Sequence, residues 1–232
     1  MFLARRLKGV AARIYYAQEV LADNPVAYWR LGETSGTVAV DEVGSNDGTY
    51  IGTPTLGVDG LLAGDADTAV DFPSGNHYVD LGAPHLPQSD APFSVEIWMS
   101  KTVSDGATGP IVSQYLGATF PDRFAVRVDV SGAVWYWHGD GVSLVGTTDL
   151  TGGSPHHIAV TRNAAGMVSL YVDGVVENSG TDTASFVNNN TNVAQFDDGH
   201  SLDYVGICDE VAIYDFALSA ARIEAHYNAG TA

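Results

Sequence analysis

Cysteine is almost absent from this sequence, which contains only Cys208 among 232 residues. A single cysteine excludes an intrachain disulfide framework and a cluster of thiolate metal ligands. Because Cys208 stands in an apolar stretch beside Ile207, we predict that it is a small core residue.

Long apolar runs are also missing. No stretch approaches the roughly 18 consecutive apolar residues that a membrane-spanning helix requires. The N-terminus has basic residues but no continuous apolar run followed by a cleavage site, so we do not predict a secretory signal. We expect a protein that is intracellular when made or is exported by another route.

Basic residues are scarce, since 10 Lys and Arg stand against 28 Asp and Glu, for a net charge of −18. Four of these ten lie within the first 13 positions, which leaves the rest of the chain strongly acidic: Arg5, Arg6, Lys8 and Arg13. Such a field disfavours nucleic acid and anionic membranes as partners, and it suits a cation or a basic partner.

Apolar residues are plentiful, at 45% of the chain, whereas charged residues make up 16%, and there are 26 glycines. This balance is typical of a packed β protein with many turns. A chain of this length forms one large domain without needing a second.

The first 23 residues follow a helical pattern. Apolar residues recur every three or four positions, as on one face of a helix: Leu3, Leu7, Val10, Ile14, Ala17 and Leu21. Pro25 would end this helix, because proline disfavours helical geometry in the residue before it. We predict an amphipathic arm over residues 1–23 and one domain over 24–232. The apolar face suits packing on its own domain, docking on a neighbouring subunit or partner, or lying on a membrane, and we favour docking.

From residue 26 onward the pattern is that of β-strands. Apolar and polar residues alternate in seven segments bounded by turn residues: 77–82, 93–100, 123–130, 133–139, 156–162, 168–174 and 209–215. Many short strands without intervening helices predict an all-β sandwich or jelly roll. Ser219 then caps a short C-terminal helix, with Ile223 and Tyr227 as its packing face.

Several motifs resemble a known family. In chain order they are VAYWRLGETSG (26–36), DEVGSNDGTYIG (41–52), AVDFPSGNHYVDLG (69–82), FSVEIWM (93–99), HHIAVTRNAAGMVSLYVDGV (156–175) and ICDEVAIYDFALSAARIEAHYNAG (207–230). They are similar to laminin-G-like (LamG) domains of the concanavalin A-like jelly-roll family, common in bacterial extracellular and bacteriophage proteins. The resemblance implies that Cys208, Val211 and Ile213 face the core of the last strand.

The segment YYAQEVLADNPVAYWRLGE (15–33) resembles the entry into such domains in minor tail and other phage virion proteins. This resemblance implies a non-catalytic virion structural protein, either a capsid decoration or a minor tail component, made in the host cytoplasm. We expect it to dock on other virion proteins through the arm, in repeated copies or as a homo-oligomer, without binding nucleic acid or membrane. The alternatives are a carbohydrate-binding adhesion domain and, less favoured, a glycan-degrading enzyme.

A calcium site is a second expectation. Calcium takes six to eight oxygen ligands, and the family resemblance places acids of the last strand near the first conserved loop. The candidate ligands are Asp41, Asn46, Asp47, Asp209 and Glu210. In the alternative interpretation Asp41 and Asn46 are turn residues whose side chains bond nearby amides, and Asp209 accepts a hydrogen bond from the same loop.

Aromatic residues suggest a sugar site. Trp135 and Trp137 share one face of the strand VWYWH. Exposed, they would form a stacking platform for sugar rings; buried, they would belong to the core. Paired acids for glycoside hydrolysis are not evident, because the last strand is predicted to place Asp209 on the same face as Val211 and Ile213, and we predict no catalytic residues.

Overall fold

The computed structural model describes residues 15–82, 84–86, 89–101, 109–114, 124–139, 142–185, 190–195 and 204–232. In these ranges two α-helices flank 16 β-strands. The helices are α1 (Tyr16–Ala22) and α2 (Ala220–Thr231). The strands are β1 (Ala27–Trp29), β2 (Val38–Ala39), β3 (Gly48–Ile51), β4 (Thr55–Asp59), β5 (Thr68–Phe72), β6 (Tyr78–Asp80), β7 (Phe93–Ser100), β8 (Gly109–Gln114), β9 (Phe124–Val128), β10 (Val134–His138), β11 (Val142–Val145), β12 (His156–Arg162), β13 (Met167–Val172), β14 (Val175–Thr181), β15 (Thr191–Val193) and β16 (Gly206–Tyr214).

The strands form two sheets of eight antiparallel strands each, packed as a sandwich. The first sheet has the order β14-β13-β12-β7-β16-β5-β4, with β1 also paired to β16. The second sheet has the order β11-β10-β9-β8-β15-β6-β3-β2. The predicted all-β jelly-roll fold and its C-terminal helix are therefore confirmed.

The main core lies between the two sheets. Alternate residues of each strand point into it, such as Val95 and Ile97 of β7 and Tyr136 of β10. This burial of every second residue is what the period-2 pattern of the sequence predicts.

A second apolar cluster lies on the outer side of the first sheet, beneath the two helices. Strand β7 is buried along its whole length because α1 and α2 cover this side. Trp98 points outward from β7 and meets the helices, with the ring of Tyr227 stacked on it at 6.0 Å. Ile223 is fully buried in the same cluster, so both predicted packing residues of α2 do contact the sheet. Ser219 caps α2 by accepting a hydrogen bond from Arg222 N at 3.3 Å.

Helix α1 also packs on this domain. Tyr16 and Val20 are buried, whereas Leu21 is 44% exposed. The predicted apolar face is therefore shifted by one position here, because the ring of Tyr16 fits between Trp98 and His157. The remaining predicted docking residues, Leu3, Leu7, Val10 and Ile14, lie outside the described residues. No helix in the described ranges is long and apolar enough to cross a membrane.

Strand β16 contains an irregularity at its adjacent acids. Its register against β7 shifts between Asp209 and Ala212, and Glu210 has a positive φ of 56°. The bulge allows Cys208 and Val211 both to face the main core, which a regular strand would not allow. Asp209 pairs with Trp98 of β7 and so lies on the opposite face from Val211, and the prediction that these two share a face was wrong.

Candidate functional site

The hairpin of β9 and β10, with β11 beside it, presents aromatic side chains on the outer face of the second sheet. Val134, Tyr136 and His138 are buried, while Trp135 and Trp137 between them are half-buried. The two tryptophans therefore lie on the face directed away from the main core. On β11, the cross-strand neighbours of Trp135 and Trp137 are Val145 and Ser143, respectively.

Arg127 of β9 lies directly opposite Trp135 in the sheet register. Its guanidinium carbon is 5.0 Å from the ring centroid of Trp135 and 5.4 Å from that of Trp137. Both distances are within the range of a cation–π contact. The two indoles and the guanidinium form one continuous surface, which we call the tryptophan–arginine patch and define by these three residues.

Asp129 holds one edge of this patch in place. Its Oδ2 accepts a hydrogen bond from Trp135 Nε1 at 2.8 Å. Its Oδ1 accepts hydrogen bonds from the backbone of Ser131 and Ala133 in the hairpin turn. Burial alone would raise the pKa of Asp129, but these hydrogen bonds outweigh it and lower the pKa. The orientation of the Trp135 ring is therefore determined by the turn that joins the two strands.

The guanidinium of Arg127 has one buried donor without an acceptor. Its Nε is buried and makes no hydrogen bond within the part of the chain that the structure describes. Burial lowers the pKa of Arg127, and the charge of Asp129 opposes that effect only in part. A buried N–H group without an acceptor is unfavourable for the isolated protein.

A second polar group without partners lies on the same face. Asn192 of β15 pairs with Ser113 of β8, which in turn pairs with Ala125 of β9. Asn192 is only 1% exposed, and neither its Oδ1 nor its Nδ2 makes a hydrogen bond. In the described part of the chain, three of the six buried polar side-chain atoms without a partner belong to Arg127 and Asn192.

Sequence patterns alone did not single out Arg127, Asp129 or Asn192. The signal for Arg127 was present, because strand alternation places it on one face and the short turn of the β9–β10 hairpin places that face beside the tryptophans. Asn192 lies in a three-residue strand with no pattern of its own.

The candidate calcium ligands are held by hydrogen bonds within the loop. Asp41 accepts hydrogen bonds from the backbone N–H groups of Tyr28, Val43 and Asn46 and from Asn46 Nδ2, at 3.0 to 3.1 Å. Asp47 accepts one from Asp41 N at 2.9 Å. Burial alone would raise the pKa of Asp41, but these donors outweigh it and lower the pKa. The arrangement favours the interpretation of Asp41 as a turn residue, because N–H donors occupy the positions that a cation would take.

The acids of β16 have separate partners. Glu210 accepts hydrogen bonds from Tyr28 Oη and from Arg30, whose Nη2 lies 2.8 Å from its Oε1. Asp209 Oδ2 accepts a hydrogen bond from Leu61 N at 2.9 Å. Burial raises the pKa of both carboxyl groups. No group of three or more His, Cys, Asp or Glu side chains in the described ranges is arranged to hold a metal ion, and the five candidate ligands do not form such a group.

The histidine pair of β12 also has internal partners. His157 is buried, with its Nε2 3.1 Å from Glu96 Oε2, and His156 Nδ1 lies 2.8 Å from Asp173 Oδ2. Glu96 itself is fully buried beneath the helices. This carboxylate therefore does not face a cleft on the surface.

Comparison with known proteins gives both a family match and similar folds. The family model Laminin_G_3, described as the concanavalin A-like lectin/glucanases superfamily, matches residues 73–224. No curated protein matches the chain.

Among solved structures, domain 4 of AbnA, a GH43 extracellular arabinanase from Geobacillus stearothermophilus in complex with arabinotriose, matches with a TM-score of 0.67 and 18% identity, over 88% of this chain and 98% of that one. The binding domain of Paraclostridial Mosquitocidal Protein 1 matches with a TM-score of 0.68 and 14% identity, over 90% and 52%. Trypanosoma rangeli sialidase in complex with 2,3-difluorosialic acid matches with a TM-score of 0.67 and 13% identity, over 88% of this chain and 32% of the sialidase. The chain thus spans about a third of the sialidase, and at these identities the likenesses show the fold alone.

Proposed function

Because the chain belongs to the Laminin_G_3 family of concanavalin A-like lectin/glucanase domains, we propose that it is a non-catalytic carbohydrate-binding domain whose binding surface is the tryptophan–arginine patch. The observation that carries the proposal is the pair of half-buried indoles on one outward face, with the guanidinium carbon of Arg127 5.0 and 5.4 Å from the two ring centroids and its buried Nε without an acceptor.

The chemistry of this surface suits a sugar. Sugar rings present apolar C–H faces that pack on indoles, and hydroxyl groups that accept hydrogen bonds from a guanidinium. The arabinanase domain supports the proposal, because 98% of that chain is covered by the match and its structure was determined with arabinotriose.

Glycan-array binding tests this function. We expect Trp137→Ala to lower the affinity for bound glycans about tenfold, the loss expected for removing one aromatic contact. Val175→Ala, at a 65% exposed position of β14 in the first sheet, is the matched control and should bind as the unaltered protein does. Absence of binding to every glycan, or unchanged binding by Trp137→Ala, would reject the patch as the site. Turnover of any polysaccharide would reject the non-catalytic assignment.

A role in a phage virion is a second proposal. Leu21 is exposed on α1, so it is accessible to a partner while Tyr16 and Val20 hold the helix to its own domain. Deleting residues 1–14 together with Leu21→Ala leaves Tyr16 and Val20 in place and should abolish association with particles if the arm docks there. Unchanged association of this truncated protein would reject docking through the arm.

A further inference from the structure

We infer that the tryptophan–arginine patch selects saccharides that carry a carboxylate, with Arg127 as the residue that binds it. This inference rests on the proposed function and adds the class of ligand. Its starting point is that Arg127 differs from the other arginines for which the structure gives side-chain partners.

Those other arginines donate hydrogen bonds to acceptors within the protein. Arg30 bonds to Glu210 and Asp65, Arg222 to Asp23 and Glu19, and Arg162 to backbone carbonyl groups of Ser89, Ala91 and Ala184. Arg127 instead lies over two indoles, and its buried Nε has no acceptor in the described ranges. The nearest candidate, Asp129, is bonded to Trp135 and to its own turn. The Nη groups of Arg127, which are not among the buried atoms without a partner, are therefore available to an acceptor that comes from outside, whereas its buried Nε is not.

The surroundings of Arg127 favour an anionic acceptor. Hydrogen bonds between a guanidinium and a carboxylate are about twice as strong as those between neutral groups, and partial burial reduces the competition from water. The flat guanidinium also matches the geometry of a carboxylate better than that of a single hydroxyl group. The two neighbouring indoles can pack against the sugar ring that bears the carboxylate.

The negative charge of the whole chain opposes binding of a carboxylate only at long range. The net charge is −18, but at physiological ionic strength the screening length is about 8 Å. Contact between one carboxylate and Arg127 occurs well within that distance. The local cation therefore decides binding once the ligand has reached the surface, while the general acidity disfavours polyanions elsewhere on the molecule.

Two matched pairs of probes separate the carboxylate from the rest of the sugar. We would titrate the full chain with 3′-sialyllactose and with lactose, and with trigalacturonic acid and its carboxyl-reduced trisaccharide, following heat or tryptophan fluorescence. The two pairs distinguish a sialic acid from a uronic acid as the source of the carboxylate. We expect the acidic member of at least one pair to bind about 10- to 100-fold more tightly than its neutral partner, the range expected for a charge-assisted hydrogen-bonded contact.

Variants of Arg127 then assign the effect. Arg127→Gln should remove the preference for the acidic member while retaining the weaker affinity for the neutral one, and Arg127→Lys should retain part of it. Trp137→Ala should weaken acidic and neutral members alike. Melting temperatures confirm that each variant is folded. If Arg127→Gln does not fold, Arg127→Lys carries the assignment, and an undiminished preference in it would overturn the inference.

The outcomes separate the two proposals. Equal affinity for both members of each pair, with binding still weakened in Trp137→Ala, overturns the carboxylate preference and leaves the carbohydrate-binding function standing. A preference that persists in Arg127→Gln also overturns the inference, because another residue must then bind the carboxylate. Absence of binding to all four probes and to every glycan of the array overturns both.

Discussion

Glu96 shows at the scale of a single residue how the fold accommodates a buried acid. Its carboxylate is fully buried on the outer side of β7 and accepts a hydrogen bond from Tyr214 Oη at 2.5 Å. His226 Nδ1 lies 2.9 Å from Oε1, and His157 Nε2 lies 3.1 Å from Oε2. Burial alone would raise the pKa of Glu96, but the two histidines outweigh it and lower the pKa. For His226 the direction is opposite. Burial alone would lower its pKa, but the neighbouring Glu96 outweighs burial and raises the pKa.

These opposite shifts predict how stability depends on pH. The contribution of Glu96 is present above the ordinary glutamate pKa of about 4.3 and is lost as the pH falls through its lowered pKa. The contribution of His226 is full below the ordinary histidine pKa of about 6.5 and is lost as the pH rises through its raised pKa. Stability from the pair is therefore greatest between about pH 4.3 and 6.5.

Glu96→Gln tests this pairing. At pH 6 we expect it to lower the free energy of unfolding by about 3–5 kcal/mol, because a buried ion pair loses one partner. We also expect the fall in melting temperature above about pH 6.5 to be smaller than in the unaltered protein. Denaturant unfolding and melting curves across pH measure both effects. Glu42→Gln, at an exposed position, is the control. If Glu96→Gln shows the same fall in melting temperature at high pH as the unaltered protein, the pairing of Glu96 with His226 is not its cause.

Asp41 carries a prediction at the same scale. Asp41→Ala leaves up to four N–H groups without their acceptor, so we expect a loss of about 2–4 kcal/mol in the free energy of unfolding, with or without calcium.

Calcium binding by the five candidate ligands stays a prediction. A ligand at 100 times its dissociation constant adds about 2.7 kcal/mol, so a chelator that leaves the melting temperature unchanged would reject it.

At the scale of elements, the two terminal helices act as one cover for the first sheet. Arg222 of α2 bonds to Glu19 of α1 at 2.5 Å and to Asp23 at 2.6 Å. Beneath these ion pairs, Tyr16 is in edge contact with Trp98. Helix α1 is only seven residues long, too short to be stable alone in water. Its structure therefore depends on this packing.

Alanine substitutions on α1 distinguish the buried from the exposed side. We expect Tyr16→Ala to cost about 3–5 kcal/mol in the free energy of unfolding, because it removes a fully buried ring. Leu21→Ala should change it by no more than about 0.5 kcal/mol, because its side chain is largely exposed. Denaturant unfolding of both variants makes the comparison. Equal costs would show that α1 does not pack as described.

At the scale of the whole molecule, the two outer faces of the sandwich differ. The terminal helices cover the outer side of the first sheet, whereas β9 and β10 of the second sheet present the tryptophan–arginine patch. Sheets in a sandwich are about 10 Å apart, so residues on the two outer faces do not share partners. The helices that cover the first sheet and the proposed binding patch therefore lie on opposite sides of the sandwich.

This separation predicts additive effects. The double variant Tyr16→Ala/Trp137→Ala should lose the sum of the two single losses in free energy of unfolding, within about 0.5 kcal/mol. Under conditions where it is folded, Tyr16→Ala should bind glycans with unchanged affinity. Unfolding curves and glycan titrations measure the two quantities. A coupling well beyond this margin would show that the helices and the patch are linked through the main core.

Much of this architecture followed from local patterns. Alternation identified β7, β10 and β12, and the serine before the last helix marked its start, because strands with one face toward a core and capped helices have short-range signatures. Local patterns failed at Glu210, where a bulge reverses the faces of β16, and at α1, where the buried side is shifted by one residue. In both places the packing of residues distant in the chain decides which side chain is buried.

The sequence by itself determined an acidic, all-β jelly-roll chain with a C-terminal helix and a pair of tryptophans on one strand face, because these follow from composition and from spacing along the chain. Only the tertiary structure decided that Arg127 lies against both indoles, that Asp129 holds one of them, and that the carboxylate of Glu96 is paired with two histidines beneath the helices. Such contacts depend on strand register and on the meeting of segments up to 130 residues apart. Hydrogen bonds and ion pairs also require atomic positions accurate to a fraction of an ångström. No pattern along the chain specifies positions to that accuracy.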